Sequence, residues 1–382
     1  MIQRPSILFL TDLHYDLQRR ALLGILAYAR EKGGWSVHAV QPRPSELPDF
    51  VRRINACGLL YCHAADDEPH PEFRDVHLPT VNLLNTPAEG TVTVTSDNHA
   101  IGRVAAEHFL ERGFRNLAFC GISRHSFNIL RGDGFDRAVR ARDLLPQFYF
   151  AYENSSTTGD SETANLGRWL LSLRKPVGIM ASNDHLARAI VHICDASDIR
   201  VPEDVAVIGV DNDEMTCATS ATPLSSVPIQ AEQIGYGAAA ALDTLIAGRT
   251  PESMLTLIPP GPVVVRRSSD VTAVEDPDVC AAMTLIRDHP TGDLSVKELL
   301  AKMKLSRRSL ELRFRQSLGR TPFEEIRLAR LRRAQALLAD TDLTVGEIAA
   351  RLGFGNSQPL STLFQIHLGL SPTQYRRRYR RP

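Results

Sequence analysis

Seven polar residues follow apolar segments in the first 270 residues, and their types suit hydrogen bonding to a neutral polyol. They are Asp12, Asp97, Arg131, Asn183, Asp184, Asp211 and Asp213. Carboxylates, an amide and a guanidinium together offer the paired donors and acceptors that sugar hydroxyls need. No grouping of nucleophile, base and acid accompanies them, so we expect no catalytic residue and no cofactor. Each could instead cap a helix, and Asn183 and Asp184 precede a predicted helix.

The elements around these residues alternate between strands and helices. Short apolar runs predict strands at 6–10, 35–40, 58–61, 80–83, 117–121, 148–152, 177–181, 205–210 and 263–265. Helical spacing predicts helices at 17–30, 100–111, 132–142, 162–173 and 184–196. This alternation indicates an α/β fold with parallel sheets covered by helices on both faces. A ligand site in such a fold lies at the carboxyl ends of the strands, where the polar residues fall.

A second set of candidates lies in residues 294–375, which contain two copies of one sequence pattern. Leu294, Val296, Glu298, Leu305, Leu310, Phe314, Leu318, Gly319 and Pro322 recur as Leu343, Val345, Glu347, Phe354, Leu360, Phe364, Leu368, Gly369 and Pro372. Each copy predicts a short helix, a tight connection and a second helix. The stretch therefore predicts an all-α region with two helix-turn-helix units, at 295–318 and 344–368.

Helix start signals support these units independently of the repeat. Four pairs place a hydroxyl three residues before a side chain that can reach back to it: Ser295 with Glu298, Thr321 with Glu324, Thr344 with Glu347, and Ser371 with Gln374. One helix over residues 322–339, roughly 27 Å long at about 1.5 Å per residue, joins the copies. Such a helix can set two recognition helices about one turn of DNA apart.

The charge distribution agrees with a DNA-binding end. The whole chain is neutral, with 44 Lys and Arg against 44 Asp and Glu. From Asp276 onward there are 19 basic and 11 acidic residues, which leaves 25 against 33 for the rest. The basic part is the duplicated part, as phosphate binding requires.

Cellular location is indicated by cysteine usage and by hydropathy. Six cysteines without metal-type pairing are typical of a reduced, cytoplasmic protein. No segment approaches membrane-spanning length, and no secretory signal pattern opens the chain. We therefore expect a cytoplasmic protein with no membrane partner.

The last quarter of the chain resembles the AraC/XylS family of DNA-binding domains. The resemblance is carried by Gly319-Arg320-Thr321-Pro322, Thr344-Val345-Gly346-Glu347-Ile348-Ala349, Gly353-Phe354 and Gly369-Leu370-Ser371-Pro372. It implies that the second helix of each unit enters the major groove. The candidate DNA-binding residues are Ser306, Arg307, Arg308, Ser309, Glu311, Arg313 and Arg315 in the first copy, and Asn356, Ser357, Gln358, Ser361 and Thr362 in the second.

These candidates predict unequal roles for the two copies. Arginine reads guanine bidentately, and Arg313 and Arg315 are placed for phosphate. The second copy carries Gln365 and Ile366 where the family usually has basic residues, so we expect the first copy to supply most of the base-reading energy. The first copy also has Glu325 where the family has tyrosine, which predicts looser packing there.

Residues 6–270 resemble the LacI/periplasmic-binding-protein-type effector domain. The resemblance rests on Asp97-Asn98-His99-Ala100-Ile101-Gly102, Ala181-Ser182-Asn183-Asp184 and Val207-Ile208-Gly209-Val210-Asp211-Asn212. It implies two sheet lobes that close on a sugar or nucleobase, with Asp97, Arg131, Asn183 and Asp211 in contact with it. It also implies that Arg131 and Asp211 hold vicinal hydroxyls. The family's own DNA-binding headpiece does not precede Ser6, so we expect DNA to be read at the other end.

The two resemblances together predict a sugar-sensing domain at 1–272, a linker at 273–280 and a DNA-binding domain at 281–382. A LacI-like sensor ahead of an AraC-type reader resembles one group of xylose-responsive regulators. D-xylose is then the implied ligand, transcription activation the implied output, and RNA polymerase and double-stranded operator DNA the implied partners of a homodimer. A regulator of another pentose or hexose operon is the alternative.

Other classes of function remain to be tested against this interpretation. An enzyme is disfavoured because residues 131–134 lack the third glycine of a dinucleotide fingerprint and no Walker-type loop exists. A metal site could be assembled from His63, Asp66, Asp67, His70 and His77, but solvated loop residues are the favoured interpretation. A ligand-blind architectural DNA binder is the third possibility. We also interpret the basic residues 376–381 as a solvated end rather than a phosphate clamp.

Overall fold

The structure is a computed structural model that describes residues 4–32, 34–41, 46–62, 77–83, 90–122, 126–151, 159–271, 273–274, 276–289 and 294–379. Contacts divide the chain into two units, residues 1–110 with 115–271, and residues 111–114 with 272–382. No helix in these ranges is long and apolar enough to cross a membrane.

The first unit alternates strands and helices along the described chain. The elements are β1 (Ser6–Thr11), α1 (Asp16–Lys32), β2 (Ser36–Val40), α2 (Leu47–Ile54), β3 (Ala56–Cys62), β4 (Thr80–Leu83), β5 (Val92–Ser96), α3 (Asn98–Glu111), β6 (Asn116–Ile122), α4 (Ser126–Arg140), β7 (Gln147–Ala151), α5 (Gly159–Ser172), β8 (Val177–Ala181), α6 (Asp184–Ala196), β9 (Val205–Asp211), α7 (Glu214–Thr219), β10 (Ser225–Pro228), α8 (Ala231–Ile246) and β11 (Leu255–Ile258). A 3-10 turn follows at Arg267–Ser269.

These strands form two parallel sheets, which confirms the predicted fold class. One sheet has the order β11-β5-β4-β3-β1-β2 and the other β10-β9-β8-β6-β7. The central strands are buried runs such as β8 and β9, whose apolar side chains pack between helices on both faces. The carboxyl ends of β6, β8 and β9 therefore lie side by side and present their following residues together.

Two predicted elements differ from the structure. Helix α4 begins at Ser126, six residues ahead of the predicted start, so Arg131 lies within a helix and not in the loop after β6. Residues 263–265 form no strand, and Val264 makes a single antiparallel bridge with Ser226.

The second unit consists of helices in the ranges the structure describes. They are α9 (Pro277–Asp288), α10 (Val296–Met303), α11 (Arg307–Leu318), α12 (Pro322–Asp340), α13 (Val345–Arg351), α14 (Ser357–Leu368) and α15 (Pro372–Tyr379). The first helix-turn-helix, α10–α11, packs on α9 around Leu299, Leu310 and Phe314. The second, α13–α14, packs on α12 around Ile348, Leu360 and Phe364. Each helix-turn-helix thus has its own hydrophobic core.

The predicted helix starts are confirmed atom by atom. The hydroxyls of Ser295, Thr321 and Thr344 each accept from the backbone N–H three residues on, and the paired glutamates accept from the N-cap N–H. The interpretation of 273–280 as a linker meets one difference. Helix α9 already begins at Pro277, because Asp276 caps it and accepts from the N–H groups of Asp278 and Val279.

The basic end is more ordered than the sequence indicates, as far as the structure describes it. Arg376 lies in α15 and donates hydrogen bonds from Nε to the carbonyl of Leu338 at 3.3 Å and from Nη2 to that of Leu343. Tyr379 packs against Tyr375 with ring centroids 4.6 Å apart. The interpretation of a solvated end is therefore wrong for Arg376, whereas Arg377 is exposed as expected, and residues 380–382 lie outside the described part.

Candidate functional site

Arg131 and Asp211 face each other in the first unit. Arg131 is 5% exposed. Its Nε donates to Oδ1 of Asn98 at 2.9 Å, and its Nη1 donates to the backbone carbonyl of Ser182. Nη2 lies 3.9 Å from Oδ1 of Asp211, too far for a hydrogen bond. Nε and Nη1 of Arg131 are thus held by hydrogen bonds within the protein, and Nη2 points towards the carboxylate of Asp211.

Close packing of α3 on α4 brings Asn98 to Arg131. A Cβ on Gly102 would lie 2.0 Å from the backbone oxygen of Arg131, and one on Gly134 would lie 2.1 Å from that of His99. The two helices therefore touch backbone to backbone, which only glycine allows. The sequence interpretation missed Asn98 as a partner of Arg131, although Asn98 lies beside the candidate Asp97 and just ahead of the predicted helix at 100–111.

Asp211 ends β9 in a backbone conformation that few residues other than glycine adopt. Its φ is 105° and that of Asn212 is 55°, so two successive residues lie in the left-handed region. The N–H of Asn212 donates to Oγ of Ser226 at 2.9 Å, and its Oδ1 accepts from Arg266 at 2.9 Å. These bonds fix the turn and hold the Asp211 side chain, about a quarter exposed, beside Arg131.

Asp184 lies beneath this turn and is 1% exposed. Its carboxylate accepts from Oγ of Ser226 at 2.6 Å, from the N–H of Asp213 at 2.9 Å and from Sγ of Cys217 at 3.4 Å. A Cβ on Gly209 would lie 2.1 Å from Oδ1, so the carboxylate rests against the backbone of β9. Both oxygens of Asp184 accept hydrogen bonds from the protein. Asp184 therefore positions the 211–213 turn.

The three charged groups perturb one another. Burial raises the pKa of Asp184, and the nearby Asp211 raises it further, against the hydrogen bonds from Ser226, Asp213 and Cys217. Burial also raises the pKa of Asp211, although Arg131 lowers it. Burial lowers the pKa of Arg131, against the two carboxylates. Such shifts are typical of groups held ready for a polar ligand.

The remaining sugar-site candidates have local partners. Oδ1 of Asp97 accepts from the N–H of Ala100 at 2.9 Å, and Oδ1 of Asn183 accepts from that of Leu186 at 2.8 Å, so both cap helices. Asp12 accepts from the backbone N–H of His14 at 3.0 Å and lies 2.6 Å from Nδ1 of the same residue, and these two contacts, the backbone one first, lower the pKa of Asp12. The structure therefore brings Arg131, Asp184 and Asp211 together and gives Asp12, Asp97 and Asn183 local roles.

The alternative metal site falls largely outside the part of the chain that the structure describes. This applies to His63, Asp66, Asp67 and His70, whereas His77 is described. Among described residues, no cluster of three or more His, Cys, Asp or Glu is arranged to hold a metal ion.

The first recognition helix, α11, exposes only part of its predicted DNA-binding set. Ser306 caps the helix and accepts from the N–H of Ser309 at 3.2 Å. Arg307 pairs with Glu311 at 2.8 Å, and Arg308 is exposed with no ion pair or hydrogen bond to another described residue. Arg315 is exposed as well.

Arg313, by contrast, is engaged within the protein. Its Nη1 lies 2.7 Å from Oδ2 of Asp276 and 3.4 Å from Oδ2 of Asp278, at the start of α9. The guanidinium of Arg313, for which the sequence predicts a phosphate contact, thus already has two carboxylate partners within the protein.

The second recognition helix, α14, presents neutral polar groups. Asn356 caps it by accepting from the N–H of Gln358 at 2.9 Å. The hydroxyls of Ser361 and Thr362 donate back to the carbonyls of Ser357 and Gln358 at 2.9 and 3.1 Å. The Gln358 side chain is exposed at the start of the helix. Little positive charge accompanies these groups, as the sequence indicates.

Glu325 occupies the place of the tyrosine of the second copy, Tyr375. Tyr375 packs edge-on against Phe364 with ring centroids 5.4 Å apart. Glu325 is 1% exposed and accepts from Arg320 at 2.5 Å, and it pairs with Arg332 at 3.3 Å. The expected loose packing of the first copy is therefore wrong, since ion pairs fill the position.

Comparisons with known proteins agree with this architecture. Residues 106–269 match the family model of the periplasmic binding protein-like domain, and residues 299–378 match that of a helix-turn-helix domain. The chain is 32% identical over 382 residues to the xylose operon regulatory protein of Escherichia coli (strain K12), covering 98% of this chain and 96% of that protein. It is 31% identical over 286 residues to the protein of the same name from Haemophilus influenzae (strain ATCC 51907 / DSM 11121 / KW20 / Rd), covering 74% of each.

A solved structure extends the similarity to the whole fold. The structure of xylose-binding transcription activator xylR superposes on this chain with a TM-score of 0.64 at 27% identity, covering all of both chains. The relatives are transcriptional regulators, and the described geometry offers a polar ligand site and two helix-turn-helix units. The chain therefore belongs to the family of the xylose operon regulatory protein, and it is a sugar-responsive, DNA-binding transcriptional regulator.

Proposed function

We propose that this regulator activates transcription in response to D-xylose, as a cytoplasmic homodimer that binds operator DNA and contacts RNA polymerase. The observation that carries the proposal is the pairing of Arg131 with Asp211, 3.9 Å apart and free of a direct hydrogen bond. The names of the full-length relatives supply the choice of D-xylose.

Arg131 and Asp211 suit sugar hydroxyls because a hydroxyl both donates and accepts. Nη2 of Arg131 donates to one hydroxyl oxygen, and the carboxylate of Asp211 accepts from the same hydroxyl or its neighbour. Hydrogen bonds to charged groups in a buried site are strong, and an analogue that lacks the hydroxyl leaves both charges unpaired. We also propose that the sugar contacts Asp97, Asn183 and Asp12, through side-chain atoms that do not take part in their local hydrogen bonds.

The DNA is read from the second unit. Helix α11 supplies Arg308 for base contact with Ser306, Ser309 and Glu311 beside it, and Arg307 and Arg315 for phosphate. Sugar shifts an existing equilibrium toward the form whose reading helices match the operator half-sites. By reciprocity, D-xylose then binds more tightly when operator DNA is present.

Calorimetry of the full-length protein with D-xylose, L-arabinose, D-ribose and D-glucose tests the ligand. D-xylose should bind most tightly. Asp211→Asn and Arg131→Lys should each weaken it at least about tenfold, since a hydrogen bond to a charged group contributes roughly 1.5–3 kcal/mol. Asp136→Asn, elsewhere on α4 where Asp136 pairs with Arg140, is the matched control and should bind as the parent does.

Each alternative has its own outcome in this experiment. Tightest binding of another sugar identifies a regulator of a different pentose or hexose operon. Binding of no sugar, together with DNA binding, favours the ligand-blind architectural protein. Chemical conversion of a sugar during the titration would instead support the hypothesis that the protein is an enzyme. Equal affinity for D-xylose with and without operator DNA would overturn the coupling.

A further inference from the structure

Each recognition helix exposes one large aliphatic side chain. Among the residues that the structure describes after 272, three large apolar side chains are more than half exposed: Leu312 at 56%, Phe323 at 57% and Ile366 at 68%. Leu312 lies on α11 and Ile366 on α14. Two of the three therefore lie on the helices that the proposed function places in DNA grooves.

The face of α11 that carries Leu312 is opposite to its core face. Leu310 and Phe314 are fully buried, and each lies two residues from Leu312, about 200° around a helix of 3.6 residues per turn. Arg308, four residues before Leu312, and Arg315, three residues after it, share its outward face and are both exposed. An aliphatic side chain between two cations suits a polyanionic partner with apolar groups.

The internal repeat offers a comparison within the molecule. The position of Leu312 corresponds to Thr362, since Leu310 and Phe314 correspond to Leu360 and Phe364. Thr362 is exposed, and its hydroxyl is turned back to the carbonyl of Gln358 at 3.1 Å. Both copies thus have an aliphatic group at the same outward position, and threonine methyls are among the groups that contact thymine in DNA.

We propose that Leu312 recognises the 5-methyl group of a thymine in the operator, beside the base contacted by Arg308. The inference rests on the proposed function, in which α11 enters the major groove. Thymine is the only base that presents a methyl group there. Four residues of helix rise about 6 Å, which spans nearly two base-pair steps of about 3.4 Å. The thymine therefore lies within about two base pairs of the base that Arg308 reads.

Removal of single methyl groups from DNA tests this contact. Duplexes are first selected from a random library with the full-length protein, and each thymine is then replaced in turn by deoxyuridine, which lacks only the 5-methyl group. We expect the protein to bind one such duplex per first-copy half-site about fourfold more weakly, the size expected for losing one buried methyl group. Leu312→Ala should bind that deoxyuridine duplex and its thymine parent equally.

Two further variants make the test specific. Leu312→Thr keeps a methyl group on the helix face and should restore part of the sensitivity to deoxyuridine. Phe323→Ala removes a similarly exposed apolar side chain outside the recognition helices and should leave the full sensitivity in place. The sensitive thymine should also lie within about two base pairs of the position whose preference is lost in Arg308→Ala.

The possible failures are distinguishable. Specific binding that ignores deoxyuridine at every position overturns the role of Leu312 and leaves the proposed function intact. The same holds if Leu312→Ala retains the sensitivity of the parent protein. Failure to select any duplex overturns the DNA-binding role of α11 and the thymine contact together.

Discussion

Arg313 on the first recognition helix donates a 2.7 Å hydrogen bond to the carboxylate of Asp276, the residue that caps α9. The equivalent position in the second copy is Leu363, which is 1% exposed and belongs to the core. In the first copy the side chain at this position is partly exposed, and in the second copy it is buried. In the first copy an ion pair replaces an apolar contact and fastens α11 to α9.

Replacing Arg313 should affect stability more than DNA binding. Arg313→Gln removes the ion pair with Asp276 and should lower the unfolding midpoint of the second unit, while affinity for operator DNA changes less than about twofold. Arg315→Gln is the control, because Arg315 is exposed on the outward face. It should leave the midpoint unchanged and reduce the slope of affinity against salt by about one. Thermal unfolding and salt-dependent binding measurements decide between the two, and a loss of salt slope in Arg313→Gln contradicts the internal role.

The sequence predicted what depends on near neighbours. The capping box of Thr321 with Glu324 and the duplication itself are visible because the partners are close in the chain. The hydrogen bond from Arg313 to Asp276 joins residues 37 positions apart, and no local sequence pattern predicts it. The burial of Asp184 depends on the absence of a side chain at Gly209, a contact between different elements. The sequence thus predicted the fold class and the chemical types at the site, but not which charges face a ligand and which face the protein.

Asp184 should be needed for the shape of the sugar site. Asp184→Ala leaves the hydroxyl of Ser226 and the N–H of Asp213 without their acceptor, and an unsatisfied buried group costs roughly 1–3 kcal/mol. We expect the free energy of unfolding of the first unit to fall by about 3 kcal/mol, and sugar affinity to fall with it because the 211–213 turn is released. Cys217→Ala, which removes a weak donor to the same carboxylate together with one buried sulfur atom, is the control and should lower both quantities less than Asp184→Ala does. Denaturant titration and calorimetry measure both effects, and unchanged sugar affinity in Asp184→Ala would show that the turn does not need this support.

Sugar binding should depend on pH through Asp211. Burial raises the pKa of Asp211 above the usual range of a carboxyl group. A sugar hydroxyl that donates to Asp211 favours the ionised form, so affinity is full above the raised pKa and is lost as pH falls through it. Calorimetry from about pH 8 to about pH 5 should show this decline. Asp211→Asn should show weak binding with a smaller decline, because Asp184, whose pKa burial raises to about 8, still titrates in this range. A flat profile in the parent protein would exclude Asp211 as the acceptor.

Glu325 should stabilise the second unit as the ion-pair partner of Arg320 and Arg332. Glu325→Ala leaves the guanidinium groups of Arg320 and Arg332 without the buried carboxylate, and removal of one partner of a buried pair costs about 3 kcal/mol. Arg333→Ala, at an exposed position of the same region, should change stability by less than about 0.5 kcal/mol. Denaturant unfolding of the full chain, followed in its second-unit transition, measures the difference. Equal stability of the two variants would mean that the arginines find other partners.

The two copies should differ in how much they contribute to operator recognition. Arg308 is exposed, charged and unpaired among described residues, whereas Gln358 at the start of α14 has little positive charge around it. A bidentate arginine–guanine contact contributes roughly 1–3 kcal/mol of discrimination, so Arg308→Ala should weaken specific binding at least about fivefold and relax the preference at one base pair. Gln358→Ala should weaken it less than about threefold. Binding to the selected operator and to scrambled DNA at the same ionic strength separates specific from nonspecific loss, since phosphate contacts contribute to both. Equal losses in the two variants would mean that α14 reads bases as strongly as α11 does.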